Sequence, residues 1–95
     1  MRLFFTPRAE SDLDEILSYI SELRPGTARK VIQRLRRACE LIASQPRIGQ
    51  RRPDFPGELR SLSVERWVIF YQIHSDDVHI YRVLDGARDI ESMFG

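Results

Sequence analysis

The stretch Val78-His79-Ile80-Tyr81-Arg82-Val83-Leu84-Asp85-Gly86-Ala87-Arg88-Asp89 is a run of β-branched and aromatic residues that breaks at a glycine. Residues 78–84 predict a β-strand, because this composition suits a pleated, half-buried surface. Alternation of side chains places Arg82 on the same face as three apolar residues, Val78, Ile80 and Leu84. Cations seldom lie on an apolar face without a partner or a function, so Arg82 is a candidate functional residue.

The upstream half of the chain predicts a strand followed by a helical hairpin. Arg2–Phe5 is a short apolar strand, and Thr6 with the proline after it supplies an N-cap and a suitable first helical residue. The first helix carries an apolar stripe at three- and four-residue spacing, with its acidic residues, Asp12 among them, on the outer side. A Pro-Gly break precedes Thr27, which is predicted to cap a second helix that ends by Pro46. So short a break predicts a helical hairpin.

The downstream half predicts a small sheet. Residues 46–57 are rich in proline, glycine and arginine, and they indicate a basic loop between the two halves. Three strands follow at residues 58–64, 67–73 and 78–84, with connections of hairpin length, which predicts an antiparallel meander. There are no internal repeats and no linkers. We therefore expect one α+β domain, residues 1–95, with a modest core.

Composition excludes several classes of protein. A single cysteine, Cys39, excludes an internal disulfide and a cysteine metal site, and its apolar neighbours indicate helix packing in a reducing compartment. Residues 1–7 are too short for a signal peptide, and no apolar run approaches the length of a membrane span. Gly-rich phosphate loops and a nucleophile with a neighbouring base are absent from the sequence. We expect a cytoplasmic protein without a cofactor, a metal or a membrane contact.

The charged residues are unevenly distributed along the chain. Residues 24–52 contain nine of the fifteen Lys and Arg residues and a single acid, Glu40, although the net charge of the whole chain is only +1. The folded molecule should therefore have a basic side and an acidic side. A helix face in solvent explains part of the run, but the run continues off the helix into Arg47, Arg51 and Arg52. The asymmetry indicates an acidic or polyanionic partner, and direct contact with nucleic acid through residues 24–52 stays open.

Taken in order, these elements resemble the ParE toxins of bacterial toxin–antitoxin modules, which belong to the RelE/ParE superfamily. The resemblance spans residues 3–94, and it rests on the order of the elements and on six segments: Ala9-Glu10-Ser11-Asp12-Leu13-Asp14-Glu15-Ile16, Tyr19-Ile20, Gln45-Pro46-Arg47-Ile48-Gly49, Leu59-Arg60-Ser61-Leu62, Val68-Ile69-Phe70-Tyr71 and Arg82-Val83-Leu84-Asp85-Gly86-Ala87-Arg88-Asp89. It implies a β-α-α-β-β-β fold in which the first strand joins the small antiparallel sheet and the helical hairpin packs on one face. Many relatives carry His where this chain has Asp85, so we assign no catalytic role to that position.

The resemblance also implies a function. It implies a toxin that binds DNA gyrase, stabilises the complex of gyrase with cleaved DNA and blocks replication, and that a ParD-like antitoxin holds inactive. We assign the target contact to Arg82 and Arg88, and we expect Arg88 to pair with Asp85 or Asp89 and so hold residues 90–94 against the body. An antitoxin that folds on binding would lay an amphipathic helix on the helical hairpin, with acidic side chains near the basic run. The residues expected at that contact are Arg34, Arg37, Leu13 and Leu17.

Two alternatives stay open. RelE-type members of the superfamily cleave ribosome-bound messenger RNA without a metal, which requires arginines to hold the phosphate and a His, Tyr or Glu to move protons. The candidates for such a site are Arg60, Arg82, His79 and Tyr81. Alternation puts His79 and Tyr81 opposite Arg82, and the chain lacks the terminal Tyr or His with neighbouring basic residues that such nucleases carry, so we favour the gyrase inhibitor. A purely structural role for Arg60 and Arg82 also stays open, in which they pair with Asp85, Asp89 or Glu58 while their stems pack on the sheet. The second alternative is a degenerate member that binds antitoxin without being toxic.

Overall fold

The computed structural model describes residues 1–87 and Ile90 of the chain. Its elements follow in the order β1 (Arg2–Phe5), α1 (Pro7–Leu23), α2 (Ala28–Ser44), β2 (Gln50–Arg51), β3 (Arg60–Val64), β4 (Trp67–His74) and β5 (Asp77–Asp85). Both helices and the four longer strands lie where the sequence predicts them. The two-residue strand β2 was not predicted, because a loop rich in proline and glycine gives no signal for so short an element.

All five strands form one sheet in the order β1-β5-β4-β3-β2. Strands β2 to β5 form an antiparallel meander, as their short connections predict. β1 instead pairs with β5 in parallel, with Arg2 opposite Asp77 and Phe5 opposite Ile80. The sheet is therefore mixed rather than wholly antiparallel, because an even number of chain reversals separates β1 from β5. The predicted α+β class, with two helices packed on a small sheet, is confirmed.

Each helix forms because it presents a continuous apolar stripe to the sheet. Thr6 caps α1, since its Oγ1 accepts a hydrogen bond from the Ala9 N–H at 3.0 Å. Thr27 precedes α2 but its side chain makes no capping hydrogen bond, so the predicted Thr27 cap is wrong in this respect. Each large aliphatic or aromatic side chain buried in the core contributes about 1.5–3 kcal/mol. The core draws on both layers: Ala9, Leu13, Ile16, Val31, Leu35, Cys39, Ile42, Trp67, Ile69, Tyr71, Val78, Ile80 and Val83.

The opposite face of the sheet carries a second, smaller apolar cluster, which we call the outer cluster. Its buried members are Leu59, Val68, Phe70 and Leu84, and Phe55, Tyr81 and Ile90 pack against them. The segment before β3 folds over this face, where Phe55 meets Phe70 edge-on with the ring centroids 5.6 Å apart. The centre of the sheet is thus covered on both faces. Ile90, the last described residue, lies against the outer cluster.

A β-bulge in β5 changes which residues share a face. The pairing with β4 skips Tyr81, so β5 carries one extra residue at that point. Before the bulge Ile80 faces the helices; after it Val83 does so, and Leu84 lies in the outer cluster. The prediction that Arg82 and Leu84 share the face of Ile80 is therefore wrong, because simple alternation does not continue through a bulge.

Candidate functional site

Arg82 lies beside the bulge and is held by an aspartate of α1. Its Nε donates a hydrogen bond to Asp12 Oδ2 at 2.8 Å and its Nη2 donates to Asp12 Oδ1 at 3.0 Å, so the ion pair is bidentate. Only 12% of the Arg82 side chain and 7% of the Asp12 side chain are exposed. The hydrogen bond to Asp12 raises the pKa of Arg82 above its ordinary value. A direct contact between Arg82 and a target would require this pair to open.

Asp12 also accepts a backbone hydrogen bond from β5, beyond the point at which the pairing of β5 with β1 ends. Thr6, just after β1, makes the last contacts along this edge: its N–H donates to Ile80 O at 3.0 Å and its hydroxyl donates to Tyr81 O at 2.8 Å. Beyond them the N–H of Val83 donates to Asp12 Oδ2 at 3.0 Å. The prediction that Asp12 lies on the outer side of α1 is wrong, because Asp12 belongs to the buried stripe of the helix.

A second aspartate, Asp85, is buried at the end of β5, with 3% of its surface exposed. Arg66, in the turn between β3 and β4, forms an ion pair with Asp85, and its guanidinium lies 5.0 Å from the centroid of the Trp67 ring. Asp85 Oδ1 also accepts a hydrogen bond from the Ala87 N–H at 2.9 Å. The expectation that Asp85 neutralises Arg60 or Arg82 is therefore wrong, because its carboxylate is bound by Arg66.

Gly86 lies where the chain leaves the sheet. Its N–H donates a hydrogen bond to Arg66 O at 2.9 Å. A Cβ at this position would lie 3.1 Å from Val68 Cγ2 and 3.2 Å from Arg66 O, so the close approach favours glycine. Arg88 and Asp89, like residues 91–95, lie outside the described residues. The predicted pairing of Arg88 and its contact with the target therefore stay predictions.

Arg60, the first residue of β3, is bound to the loop that follows α2. Its Nη1 donates to Gly49 O at 2.9 Å and, at 3.5 Å, to Arg47 O. Tyr71 fixes the same loop, since its hydroxyl donates to Pro46 O at 2.7 Å and accepts from the Gly49 N–H at 2.9 Å. Burial raises the pKa of Tyr71, although the Gly49 hydrogen bond and the charge of Arg60 oppose the rise. Together the two side chains hold the basic loop against the sheet.

The four residues considered for a nuclease are not brought together. Arg60 lies in β3 and Arg82 in β5, with β4 between them, so their backbones are about 10 Å apart, roughly two strand spacings. His79 stacks on Phe4 with ring centroids 5.2 Å apart, next to β1. Tyr81 packs against the outer cluster. Among the described residues, each of the two arginines binds groups of this chain itself, so the arrangement offers no shared pocket for a phosphate and a proton-transfer group.

Of the four residues assigned to the antitoxin contact, two are exposed cations. Arg34 pairs with Glu65 of the β3–β4 turn, with Nε and Oε2 3.3 Å apart, whereas Arg37 makes no ion pair within residues 1–87 and 90. Leu17 is partly buried. Leu13 is only 2% exposed. The prediction that Leu13 offers surface to an antitoxin is therefore wrong, because its side chain completes the core between α1 and the sheet.

Apolar side chains are exposed beside the basic run. Leu41, near the end of α2, is 41% exposed and Ile48, in the loop after it, is 42% exposed. The N-terminal amino group donates to Ala43 O at 3.1 Å, which places Met1 beside the end of α2. Exposed apolar groups among arginines suit an amphipathic partner whose polar side is acidic.

The described part of the chain holds no group of three or more His, Cys, Asp or Glu side chains that could bind a metal ion. Cys39 is fully buried in α2, and burial raises the pKa of its thiol to about 12. A thiol with so high a pKa is not a nucleophile at neutral pH. Within residues 1–87 and 90, neither helix has the length and apolar character that crossing a bilayer requires.

Comparison with known proteins gives the family. Residues 3–90 match the family model described as "ParE toxin of type II toxin-antitoxin system, parDE". The chain belongs to the ParE toxin family. Toxin ParE3 of Caulobacter vibrioides (strain ATCC 19089 / CIP 103742 / CB 15) is 28% identical over 95 residues, which cover 99% of this chain and 95% of the relative. Toxin RelE2 of the same strain is 32% identical over 87 residues, which cover 92% of this chain and 97% of the relative.

The fold of this ParE toxin is also found in a solved structure. A chain of the chromosomal ParDE toxin–antitoxin system from P. aeruginosa superposes with a TM-score of 0.76 at 26% identity, covering 87% of this chain and 92% of that one. The resemblance drawn from the sequence is thus confirmed for the family and for the fold. Because the family is the toxin half of parDE systems, the expected partner is an antitoxin of ParD type.

Sequence reasoning missed several residues that shape this ParE toxin. Asp12 stands three residues after Ala9 and four before Ile16, so its spacing within the apolar stripe was a usable signal. Arg66 left no such signal, because a charged residue in a short turn is ordinarily solvent-facing. Tyr71 was expected in the core but not as the donor that fixes the loop after α2.

Proposed function

We propose that this ParE toxin acts by binding: it contacts DNA gyrase, stabilises the complex of gyrase with cleaved DNA and so blocks replication. The observation that carries the proposal is that the two arginines that a nuclease would need each form hydrogen bonds to other groups of this chain. Arg82 is bound to Asp12, and Arg60 donates to Gly49 O. A binding inhibitor requires no convergent proton-transfer groups, whereas RNA cleavage does. Membership of the ParE family supports the same function.

Neutralisation by a ParD-type antitoxin in the cytoplasm is the second part of the proposal. The exposed cations of α2 and the loop after it, with Leu41 and Ile48 among them, match an acidic and amphipathic segment in charge and in apolar character. A segment that orders on binding can cover a wide surface of this kind. Long-range attraction between opposite charges would speed the encounter.

The experiment that tests gyrase inhibition follows replication and translation separately. The toxin is induced in growing cells with and without its antitoxin, and DNA and protein synthesis are followed by pulse labelling. We expect filamentation, a DNA damage response and an early stop in DNA synthesis, while protein synthesis initially continues. Purified toxin should block supercoiling by gyrase, and premixing with antitoxin should relieve the block.

A RelE-like messenger RNA endoribonuclease is the second candidate, and the 32% identity to Toxin RelE2 supports it. In that case protein synthesis stops first, messenger RNA is cleaved in ribosomes, and gyrase supercoiling is unaffected by the purified protein. A degenerate toxin gives a third result, in which antitoxin binds but growth continues. Each outcome differs from the others in at least one direct measurement.

A further inference from the structure

We infer that two adjoining pockets beside residues 45–60 form one binding site for an extended segment of the antitoxin. One pocket takes an apolar side chain of the segment, and the other takes a carboxylate between Arg51 and Arg60. The inference rests on neutralisation by a ParD-type antitoxin, which is the second part of the proposed function. It adds the place of the contact on this chain and the kinds of side chain that the antitoxin brings to it.

The first pocket, which we call the arginine pocket, lies where β2 pairs with β3. Its volume is about 490 Å³, and its lining includes Arg51, Arg60, Leu59 and Ile73. Arg51 lies directly opposite Arg60 in the ladder. The next residue, Arg52, donates its N–H to Leu59 O at 2.8 Å, so Arg51 and Arg60 form a non-hydrogen-bonded pair. Opposed side chains approach each other most closely in a pair of this kind.

The two opposed arginines have no acidic partner within the described part of the chain. Arg51 is exposed, and its side chain forms no ion pair there. The Arg60 guanidinium donates to the backbone carbonyls of Arg47 and Gly49, which hold it in place without neutralising its charge. Glu58 also lines the pocket but pairs with neither arginine. Like charges directly opposite each other destabilise a sheet, so the free toxin carries a repulsion that a bound anion would relieve.

The second pocket, which we call the apolar pocket, lies between the loop after α2 and the end of β4. Its volume is about 640 Å³, and its lining includes Pro46, Ile48 and Ile73. Ile73 lines both pockets, so the two adjoin. Ile48 is 42% exposed and offers apolar area to a partner. The combined site is therefore apolar at one end and cationic at the other.

Hydrogen bonds from β3 and β4 fix the loop that forms part of this site. The Tyr71 hydroxyl donates to Pro46 O at 2.7 Å and accepts from the Gly49 N–H at 2.9 Å. Arg60 Nη1 donates to Gly49 O at 2.9 Å. Both pockets are therefore formed before a partner binds, and preorganisation of this kind lowers the entropic cost of binding.

These features favour an extended peptide over nucleic acid. β2 is the last strand in the order of the described sheet, and the hydrogen-bonded pairs that flank Arg51 direct its own N–H and C=O to the open edge. The backbone of an extended segment can pair with these groups. DNA phosphates could also bind the two arginines, but a phosphate backbone has no apolar group for the apolar pocket. A peptide with an apolar residue close to an acidic residue fills both pockets, which matches the acidic and amphipathic antitoxin segment proposed above.

The test measures the dissociation constant and the dissociation rate of the complex with purified cognate antitoxin for the wild-type toxin, Arg51→Gln and Ile48→Ala. We expect Arg51→Gln to raise the dissociation constant about tenfold, which corresponds to about 1.4 kcal/mol. Most of the change should be faster dissociation, because removal of one partner of a covered ion pair acts on that rate. Ile48→Ala should also speed dissociation. The melting temperature of free Arg51→Gln should equal or exceed that of the wild type, because the repulsion from Arg60 is removed.

Two matched controls lie elsewhere on the molecule. Arg8→Gln removes an exposed arginine of α1, and Leu23→Ala truncates an apolar side chain that is 64% exposed at the end of α1. Both variants should bind the antitoxin as the wild type does. Replacement of the antitoxin's acids by amides, one at a time, identifies the carboxylate. The correct replacement should weaken binding to the wild-type toxin and have little further effect on binding to Arg51→Gln, since the interaction is already lost.

The possible results separate the inference from the proposed function. A wild-type toxin that does not bind the antitoxin overturns neutralisation itself. Wild-type binding, together with unchanged dissociation of Arg51→Gln and Ile48→Ala, overturns only the two-pocket site. A loss of affinity in Arg51→Gln that merely follows a lower melting temperature also overturns the site, because Arg51 would then have a structural role.

Two further measurements test the other possible occupants. A short labelled DNA duplex that binds the wild type but not Arg51→Gln, with antitoxin affinity unchanged, would assign the arginine pocket to nucleic acid. A wild-type dimer that Arg51→Gln converts to a monomer, again with antitoxin affinity unchanged, would assign it to a second copy of the chain. Either result overturns the inference.

Discussion

Asp12 of α1 accepts both hydrogen bonds of the Arg82 guanidinium, at 2.8 and 3.0 Å, across 70 residues of chain. The same carboxylate accepts the Val83 N–H, so one side chain joins the first helix to the last strand at the bulge. Because both members of the pair are nearly buried, a substitution of Arg82 should destabilise the fold whether or not Arg82 contacts a target. This changes how a loss of toxicity in an Arg82 variant should be understood.

Asp12→Ala and Arg82→Ala should each lower the free energy of unfolding by about 3–5 kcal/mol, because each leaves a buried, charged or polar partner unsatisfied. Denaturant titration measures the change. Arg2→Ala is the exposed control, and its effect should stay within about 0–1 kcal/mol. An Arg82→Ala variant that keeps wild-type stability and yet loses toxicity would instead indicate a direct contact between Arg82 and the target.

Gly49→Ala should destabilise the toxin and loosen the basic loop after α2. A Cβ at residue 49 would lie 2.4 Å from the Tyr71 hydroxyl and 2.9 Å from Ser61 O, so the loop must move and break the bonds that Tyr71 makes. The matched control is Gly26→Ala, where a Cβ would meet nothing within 4 Å. Thermal unfolding should show a much lower melting temperature for Gly49→Ala and little change in melting temperature for Gly26→Ala. Equal melting temperatures would contradict the tight contact with Tyr71.

Tyr71→Phe should cost about 1–3 kcal/mol of unfolding free energy, because removal of the hydroxyl leaves the buried Gly49 N–H without its acceptor. The ring itself stays, so the core should remain packed. Hydrogen exchange at the Gly49 N–H is the direct measurement and should become faster. Unchanged exchange would mean that another group accepts this hydrogen bond.

The stability of the toxin should fall at alkaline pH through Cys39. Burial raises the pKa of this thiol from 9.0 to about 12 in the folded protein. Below pH 9 the thiol is neutral in both states and its contribution is fully present. Between pH 9 and 12 only the unfolded chain ionises, so stability should decline by about 1.4 kcal/mol per pH unit. Cys39→Ala should show a shallower decline over this range in denaturant titrations, whatever its constant offset. Parallel curves for the two proteins would contradict the raised pKa.

Arg37→Glu should slow association with the antitoxin at low salt and have little effect at high salt, because exposed charges act mainly on the rate of encounter. Arg34→Glu should behave similarly, with some additional loss of stability from repulsion by Glu65. Arg8→Glu makes the same change of net charge outside the basic run and serves as the control. Stopped-flow mixing at several salt concentrations gives the rates. Equal rates for Arg37→Glu and Arg8→Glu would show that the basic run faces something other than the antitoxin.

The helices and the longer strands could be predicted because their signals are local. Thr6, the apolar stripes and the Pro-Gly break each act within a few residues of the structure they determine. The Asp12–Arg82 pair and the Arg66–Asp85 pair depend on which elements become neighbours, and no local pattern contains that information. The bulge at Tyr81 was also not predictable from the alternation of side chains. Its one extra residue exchanged the faces of every side chain that follows it in β5.

The parallel pairing of β1 with β5 has a consequence for the synthesis of the toxin. The first strand, the cap of α1 and Asp12 all find their partners in the last strand, at residues 77–83. Translation from Asp12 to Arg82, a sequence separation of 70 residues, takes on the order of 4–14 s at about 5–20 residues per second. Until then the N-terminal segments on the ribosome lack the strand that completes the sheet. Each new molecule therefore cannot form the complete five-stranded sheet until β5 has been synthesised.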